Sequence, residues 1–221
     1  MTYSLVVFDW DGTLMDSTPA IVAAIQGACR DMDLPVPPDE AASWVIGLGL
    51  ADALRAAVPE LKPEQWKAFS ERYRYHYLTR DPELRLFDGI EALLSAVAAT
   101  GASLAVATGK SRQGLDRSLD ATGLRPRFDA TRCADETHSK PHPAMLLELM
   151  DELMVPPERT LMIGDTSHDL NMARSAGVHG LGVTYGAHPI TELQACSPAG
   201  IVHNVTELSD WLLPRVRSLA D

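Results

Sequence analysis

Near its amino terminus the chain places two aspartates immediately after a short apolar segment. The segment is Leu5-Val6-Val7-Phe8, and the motif that follows is Asp9-Trp10-Asp11-Gly12-Thr13. An uncharged run rich in β-branched residues is typical of a strand buried in a parallel sheet. Open parallel sheets bind ligands at the carboxyl ends of their strands, where both aspartates fall. Neighbouring carboxylates are costly to bury unless a cation or a proton offsets their repulsion. The motif therefore predicts a Mg²⁺ site in which one carboxylate attacks and the other moves protons.

Composition limits the classes of protein to which the chain can belong. Its 221 residues carry a formal net charge of -11, which argues against a nucleic-acid partner because such proteins need a basic face. Three scattered cysteines fit a reducing compartment and form neither a zinc pattern nor a disulfide framework. The sequence shows no basic leader and no long apolar segment, so we expect a cytoplasmic protein without a membrane partner.

From about residue 89 onward, short apolar segments alternate with amphipathic helical patterns. Strands are predicted at 103–108, 160–164, 181–184 and 201–203, and helices at 90–99, 112–122, 143–154, 169–176 and 205–219. Gly101, Gly123 and Gly177 each follow a helical run, as helix-ending glycines do. Alternation of this kind predicts βαβ units, and hence an α/β fold with a Rossmann-like parallel sheet flanked by helices.

Residues 15–83 interrupt this alternation. They contain helical patterns at 19–32, 39–45, 51–57 and 63–78 and no convincing strand. We therefore predict an α/β catalytic core formed by residues 1–14 and 84–221, with a small all-helical cap domain at 15–83. The linkers fall near 16–17 and 82–86. A cap inserted after the first strand can close over the strand ends and exclude water from a site there.

The second strand ends in a possible anion cradle, Thr108-Gly109-Lys110, with Ser111 as a candidate cap of the next helix. A hydroxyl, an open glycine N–H and a helix N-terminus together can bind an anion. Taken alone, the tripeptide is equally well explained as an ordinary turn between a strand and a helix.

A lysine stands before another predicted helix, in Ser139-Lys140-Pro141-His142-Pro143. The functional interpretation is that the Lys140 ammonium lies between an attacking carboxylate and a phosphate and offsets their repulsion. The alternative is a surface lysine that happens to precede a helix.

A second pair of acids follows the apolar segment Leu161-Met162-Ile163. Asp165 lies at the strand end, and Asp169 lies four residues on, which is one turn of the following helix. Carboxylate oxygens at this spacing suit Mg²⁺. The alternative is that both acids simply favour a helix N-terminus.

The four motifs gain specificity from their order along the chain. A strand-end Asp-x-Asp, a strand-end Thr-Gly, a Lys-Pro before a helix and a strand-end Gly-Asp-x-x-x-Asp follow one another between Asp9 and Asp169. In this combination the chain resembles the haloacid dehalogenase superfamily over essentially its whole length. The helical cap and the Lys140 segment are most similar to the phosphoglycolate phosphatase-like branch.

This resemblance implies a Mg²⁺-dependent hydrolase of small phosphorylated metabolites, either phosphoglycolate-like compounds or sugar phosphates. In similar phosphatases the residue corresponding to Asp9 forms an aspartyl-phosphate, and the one corresponding to Asp11 protonates the leaving oxygen and then activates water. The resemblance further implies that Thr108 and the Gly109 N–H hold phosphoryl oxygens while Lys140 neutralises charge. The implied Mg²⁺ ligands are Asp9, the Asp11 carbonyl, Asp165 and Asp169.

Residues around the first motif separate the subfamilies. Similar dehalogenases lack the second aspartate and similar phosphonoacetaldehyde hydrolases carry alanine there, so Asp11 favours phosphomonoester hydrolysis. The chain departs from the phosphoglycolate phosphatase-like pattern at Phe87-Asp88-Gly89, where Pro-Gly is frequent, and at Gly109, where asparagine is common. Both departures weaken any precise assignment of the substrate.

Two other functions stay open at this point. A phosphotransferase or phosphomutase on the same scaffold is disfavoured by Thr18-Pro19-Ala20, where similar mutases carry a histidine. A non-catalytic metal-dependent module is disfavoured because all the motif residues are present.

The cap is expected to select the substrate. Gly47-Leu48-Gly49-Leu50 separates two cap helices, and Gly47 is the candidate position at which backbone approaches a small ligand. An ordinary interhelical turn is the alternative. The state of assembly, monomer or homodimer, stays open.

Overall fold

A computed structural model describes residues 1–219 of the chain, except for the side chain of Pro82, and shows a six-stranded sheet. The strands are β1 (Leu5–Phe8), β2 (Ser103–Thr108), β3 (Ala130–Cys133), β4 (Thr160–Gly164), β5 (His179–Val183) and β6 (Gly200–Val202). They lie in the order β3-β2-β1-β4-β5-β6, and all neighbouring strands are parallel. The strand order changes direction at β1, so the crevice above the carboxyl ends of β1 and β4 is the expected ligand position. The α/β Rossmann-like prediction is confirmed.

Helices cover both faces of the sheet, because successive side chains of a strand point to opposite sides. Val6 and Phe8 of β1 pack in one apolar layer, and Leu5 and Val7 pack in the other. The first layer is formed with α5 (Ile90–Ala98), α6 (Arg112–Thr122) and α10 (Val205–Leu212). The second is formed with α7 (Ala144–Leu153) and α8 (Ser167–Ala176). Burial on both faces explains why β1 is apolar throughout.

The segment between β1 and α5 is helical and packs around an apolar cluster of its own. Its helices are α1 (Thr18–Asp31), α2 (Asp39–Trp44), α3 (Leu50–Ala57) and α4 (Trp66–Arg80), with 3-10 turns at Pro63–Gln65 and Asp81–Glu83. Ile25, Leu54 and Phe69 are buried in this cluster. The two connections to the sheet run side by side, since Asp16 N–H donates to the Arg85 carbonyl and Phe87 N–H to the Leu14 carbonyl, both at 3.0 Å. The exact division into core and cap stays a prediction, and residues 220–221 of that core lie outside the described residues.

Several elements differ from the sequence prediction. The chain forms β3 and the short helix α9 (Ile190–Ala195), which the apolar pattern missed because neither contains a sustained apolar run. The helix predicted at 205–219 ends at Leu212, and a 3-10 turn that contains Pro214 follows, because proline cannot continue the hydrogen-bond pattern. Among the described helices, none is both long and apolar enough to cross a membrane.

Candidate active site

Three carboxylates from two strand ends meet at the predicted position. Asp9 follows β1, Asp165 follows β4, and Asp169 lies in the first turn of α8. One oxygen of each lies within 4.8 Å of the others, and all three side chains are fully buried. The amino-terminal turn of α8 positions Asp169, since its Oδ2 accepts the Thr166 N–H at 3.0 Å and the Thr166 hydroxyl at 2.6 Å.

Lys140 partly neutralises this cluster. Its buried Nζ lies 2.7 Å from Asp9 Oδ1 and 2.7 Å from Asp169 Oδ1. Burial acts to lower the pKa of the lysine, but Asp169 and Asp9 outweigh it and raise the pKa above its ordinary value. The lysine that could have been a surface residue is therefore a buried member of the site.

The three carboxylates of the cluster carry more negative charge than the single Lys140 ammonium can offset. This imbalance bears on whether the site fits a metal ion. Burial raises the pKa of Asp9 well above its usual value and that of Asp165 to about 7, because the charges are desolvated and repel one another. Asp9 Oδ2 is buried without a hydrogen-bond partner among the described residues. A compact set of carboxylate oxygens that lacks positive charge fits a hard divalent cation such as Mg²⁺.

These pKa shifts predict a pH-dependent stability in the metal-free protein. Between about pH 4 and pH 7 the folded Asp165 holds a proton that the unfolded chain has released, so its contribution to stability falls as pH rises. The quantity to compare is the melting temperature of Asp165→Asn minus that of the wild type, both measured in EDTA. We expect this difference to be more positive at about pH 8 than at about pH 5.5. Mg²⁺ should stabilise the wild type more than the variant.

Comparison with this variant removes the contribution of the histidines. Burial lowers the pKa of His168 and His188, which favours the fold as pH rises, but both histidines are common to the two proteins. The variant also loses one of the Asp165 hydrogen bonds, from Thr13 Oγ1 or Ala187 N–H, which shifts its stability equally at every pH. A difference in melting temperature that does not change with pH would contradict the prediction.

The second acid of the first motif lies apart from the cluster, with different partners. Asp11 Oδ1 accepts the Ser17 hydroxyl at 2.6 Å and lies 2.9 Å from Lys110 Nζ. Lys110 also donates to the Tyr77 hydroxyl of α4 at 2.9 Å. Asp11 thus faces the helical segment with its carboxylate held by a hydroxyl and an ammonium.

The residues of the predicted anion cradle lie at the end of β2 and at the start of α6. Thr108 is fully buried, and its Oγ1 accepts the Lys110 N–H at 3.2 Å. Ser111 caps α6 as expected, since its side chain accepts from Gly114 N–H. Gly109 lies against backbone of the helical segment, because a Cβ at this position would stand 2.5 Å from the carbonyl oxygens of Gly47 and Leu48. The Gly47 loop therefore lies directly above the second motif.

This close approach makes Gly109→Ala informative. The added methyl would displace the Gly47–Leu48 backbone, and a misplacement of about 1 Å near the chemistry can cost about 100-fold in rate. We expect kcat/KM to fall by roughly that factor, and the melting temperature to fall as well because backbone has to move. Gly123→Ala is the matched control, since its φ of 69° is strained for alanine, but no atom of the described residues other than its chain neighbours lies within 4 Å of the added methyl. The control substitution should lower the melting temperature and leave kcat/KM unchanged. An unchanged kcat/KM in Gly109→Ala together with a lowered kcat/KM in Gly123→Ala would refute this interpretation.

A tryptophan and two histidines also join the helical segment to the strand ends. The Trp44 carbonyl accepts from His168 Nε2 and His188 Nε2, each at 2.9 Å, and the Trp44 ring stacks on His188 with centroids 4.3 Å apart. His188 Nδ1 accepts the Ser167 N–H at 3.1 Å, which leaves the proton on Nε2. Sequence reasoning missed Trp44 and His188, since neither belongs to a motif.

A cavity of about 180 Å³ separates the helical segment from the sheet. We name it the cap chamber. Asp11, Gly109 and Lys110 line its sheet side. Apolar side chains line its other side, among them Ile21, Ile25, Val45 and Leu54. The arrangement places Asp11 between the acidic cluster and a chamber that has both polar and apolar walls.

A parallel sheet with acids and a lysine gathered at its strand ends, below a helical segment, defines an enzyme of the capped α/β class. Residues 6–183 match the family model for haloacid dehalogenase-like hydrolases. The chain is 38% identical to the protein named "Probable phosphatase IndB" of Dickeya dadantii, over 92% of this chain and 91% of that protein. It belongs to the haloacid dehalogenase-like hydrolase family.

Two further similarities bear on the branch. The crystal structure of a predicted phosphoglycolate phosphatase from Haemophilus somnus matches 96% of this chain and 98% of that chain, with 26% identity and a TM-score of 0.85. The tyrosine-protein kinase PtkA of Mycobacterium tuberculosis is 32% identical over 91% of this chain and 69% of that protein. These similarities confirm the prediction that the chain is a hydrolase of this family and of its phosphoglycolate phosphatase-like branch.

Proposed function

We propose that the protein is a Mg²⁺-dependent phosphatase that hydrolyses phosphomonoesters of small metabolites through an aspartyl-phosphate on Asp9. The observation that carries the proposal is Asp9 Oδ2, a buried carboxylate oxygen without a hydrogen-bond partner in the described part of the chain, beside Lys140. An oxygen left free in this way can approach phosphorus, while Oδ1 is held by the ammonium.

The first half of the reaction breaks the ester bond. Asp9 Oδ2 bonds to phosphorus as the bond from phosphorus to the leaving oxygen breaks, and Asp11 gives a proton to that oxygen. Thr108 Oγ1 and the Gly109 N–H bind phosphoryl oxygens, and Lys140 offsets the charge that builds up around Asp9.

The second half regenerates the enzyme. Asp11 takes a proton from a water molecule, which bonds to phosphorus as the bond to Asp9 breaks and releases phosphate. Asp9, Asp165, Asp169 and the Asp11 carbonyl would hold Mg²⁺, which would supply further positive charge for the phosphoryl oxygens.

Phosphoryl transfer to an organic hydroxyl is the second candidate, and the similarity to PtkA favours it. It differs from hydrolysis only in the acceptor, because the attacking groups are shared. Transfer would give a new phosphorylated product with little free phosphate.

The test is phosphate release from a panel of phosphomonoesters, with Mg²⁺ or with EDTA. The panel should include phosphoglycolate, sugar phosphates and 4-nitrophenyl phosphate, each with and without a hexose acceptor. Mg²⁺-dependent release of free phosphate is expected. A phosphorylated acceptor without free phosphate would replace hydrolysis by transfer, and no reaction with any ester would refute both.

The setting in the cell forms part of the proposal. We infer a cytoplasmic enzyme, monomeric or homodimeric, whose partner is a small phosphorylated metabolite and not a nucleic acid or a membrane. The net charge of -11 and the free thiols of Cys29 and Cys133, both buried, support it.

A further inference from the structure

Lys110 offers a hydrogen-bond donor to the cap chamber. Its side chain is 9% exposed, and its Nζ has two oxygen partners among the described residues, Asp11 Oδ1 and the Tyr77 hydroxyl, each at 2.9 Å. An ammonium carries three N–H donors, so one is left for another acceptor. Because Lys110 lines the chamber, an acceptor on a bound molecule can reach it.

The charges that line the chamber favour an anion as that acceptor. Among the described residues, its lining includes the cations Arg74, Lys110 and Arg117 but one carboxylate, Asp11. Arg117 is already paired with Asp81 at 2.7 Å, and Asp11 is shared between Lys110 and Ser17. Once these two pairs are counted, the exposed Arg74 leaves the chamber with one net positive charge in a strongly acidic protein. An anion bound beside Lys110 would replace its lost hydration and form a charge-assisted hydrogen bond.

The rest of the chamber suits an apolar body of the size of a ring. Aliphatic side chains of α1 and α3, including Ile25 and Leu54, form its wall opposite Asp11. An apolar cavity of about 150 Å³ is large enough to hold benzene. The chamber, at about 180 Å³, can therefore hold a six-membered ring. A two-carbon leaving group would leave most of the chamber unfilled.

The geometry points to a ring-sized, largely apolar organic acid as the leaving group of the substrate, with its anionic substituent bound by Lys110. This inference rests on the proposed phosphatase function, and it makes Lys110 a specificity-determining residue. The phosphoryl group lies at Asp9, the leaving oxygen meets Asp11, and the ring occupies the cap chamber.

Matched aryl phosphates test the inference directly. The 3- and 4-carboxyphenyl phosphates carry the anion on the ring, and the corresponding carbamoylphenyl phosphates carry a neutral amide of nearly equal size in its place. Of the two carboxyphenyl isomers, we expect the better substrate to exceed its amide counterpart by about 10- to 100-fold in kcat/KM with the wild type. This is the range for a hydrogen bond to a charged group. The amide is the better leaving group, so intrinsic reactivity cannot produce this preference. Phosphoglycolate should be hydrolysed less efficiently than the better aryl acid.

Substitution at Lys110 identifies the group responsible. Lys110→Met keeps the length of the side chain and removes its charge, so the ratio of carboxylate to amide should fall close to one, while Lys110→Arg should retain a preference. Lys67→Met is the matched control, because Lys67 is exposed on α4 and does not line the chamber. It should leave the wild-type ratio unchanged.

A binding measurement on the wild type covers the case in which Lys110→Met fails to fold. The hydroxybenzoate product should bind more tightly than hydroxybenzamide by calorimetry. Three results would overturn the inference: equal binding of the two products, a wild-type carboxylate-to-amide ratio near one, or a ratio that is retained in folded Lys110→Met. In each case, turnover of 4-nitrophenyl phosphate would still support the phosphatase function. No turnover of any ester by the folded wild type would instead overturn the proposed function itself.

Discussion

Replacing Asp9 with asparagine is expected to lower kcat/KM for phosphate release by roughly 10⁴- to 10⁶-fold, as loss of a catalytic nucleophile does in other enzymes. The amide lacks the charge of the carboxylate and is a poor nucleophile towards phosphorus. Its oxygen can still accept a hydrogen bond from Lys140, whose second partner Asp169 is unaffected. The expected result is an inactive protein whose side chains remain in place.

Stability measurements separate this outcome from unfolding. The substitution removes one of three buried carboxylates that repel one another, so the melting temperature in EDTA should not fall below that of the wild type. Asp151→Asn is the matched control, because Asp151 is exposed on α7 and belongs to none of the motifs, so it should retain full activity. Appreciable turnover by Asp9→Asn would exclude Asp9 as the nucleophile.

The acidic cluster could be predicted from sequence because local rules determine where strands end. Apolar runs place Asp9 and Asp165 at the carboxyl ends of two strands, and the parallel sheet then brings those ends together. Asp169 follows from the helical turn after Asp165. Lys140 was uncertain on local grounds, since only the packing of the loop before α7 decides whether a lysine in that position is buried.

Contacts between the sheet and the helical segment could not be predicted in the same way. Lys110 meets Tyr77 across 33 positions and His188 meets Trp44 across 144, and no periodicity links such pairs. The strand β3 was missed for a related reason: its sequence Ala-Thr-Arg-Cys is a strand because β2 offers a free edge, and not because its own pattern demands it.

Removal of the lysine charge should have the largest effect on stability. Lys140→Met leaves Asp9, Asp165 and Asp169 buried without an ammonium, and breaking a buried ion pair in this way costs about 3–5 kcal/mol. For a chain of this size we expect the melting temperature in EDTA to fall by roughly 6 to 20 °C. Mg²⁺ should restore part of the loss, because a divalent cation offsets the same charges. Activity should be lost as well, since the ammonium is expected to offset charge on the phosphoryl group.

A double substitution distinguishes uncompensated charge from lost packing. Asp169→Asn removes one of the carboxylates paired with Lys140, so adding it to Lys140→Met should recover part of the lost stability, whereas two independent packing defects would add. Lys67→Met, an exposed lysine on α4, should leave the melting temperature within about 2 °C of wild type, since surface substitutions cost little. If the melting temperature of Lys140→Met in EDTA equals that of the wild type, the cluster does not need the ammonium for charge balance. Asp9 and Asp165, whose pKa values burial raises, would then be protonated in the metal-free fold. Mg²⁺ binding would release those protons, which calorimetry in buffers of different ionisation enthalpy would detect.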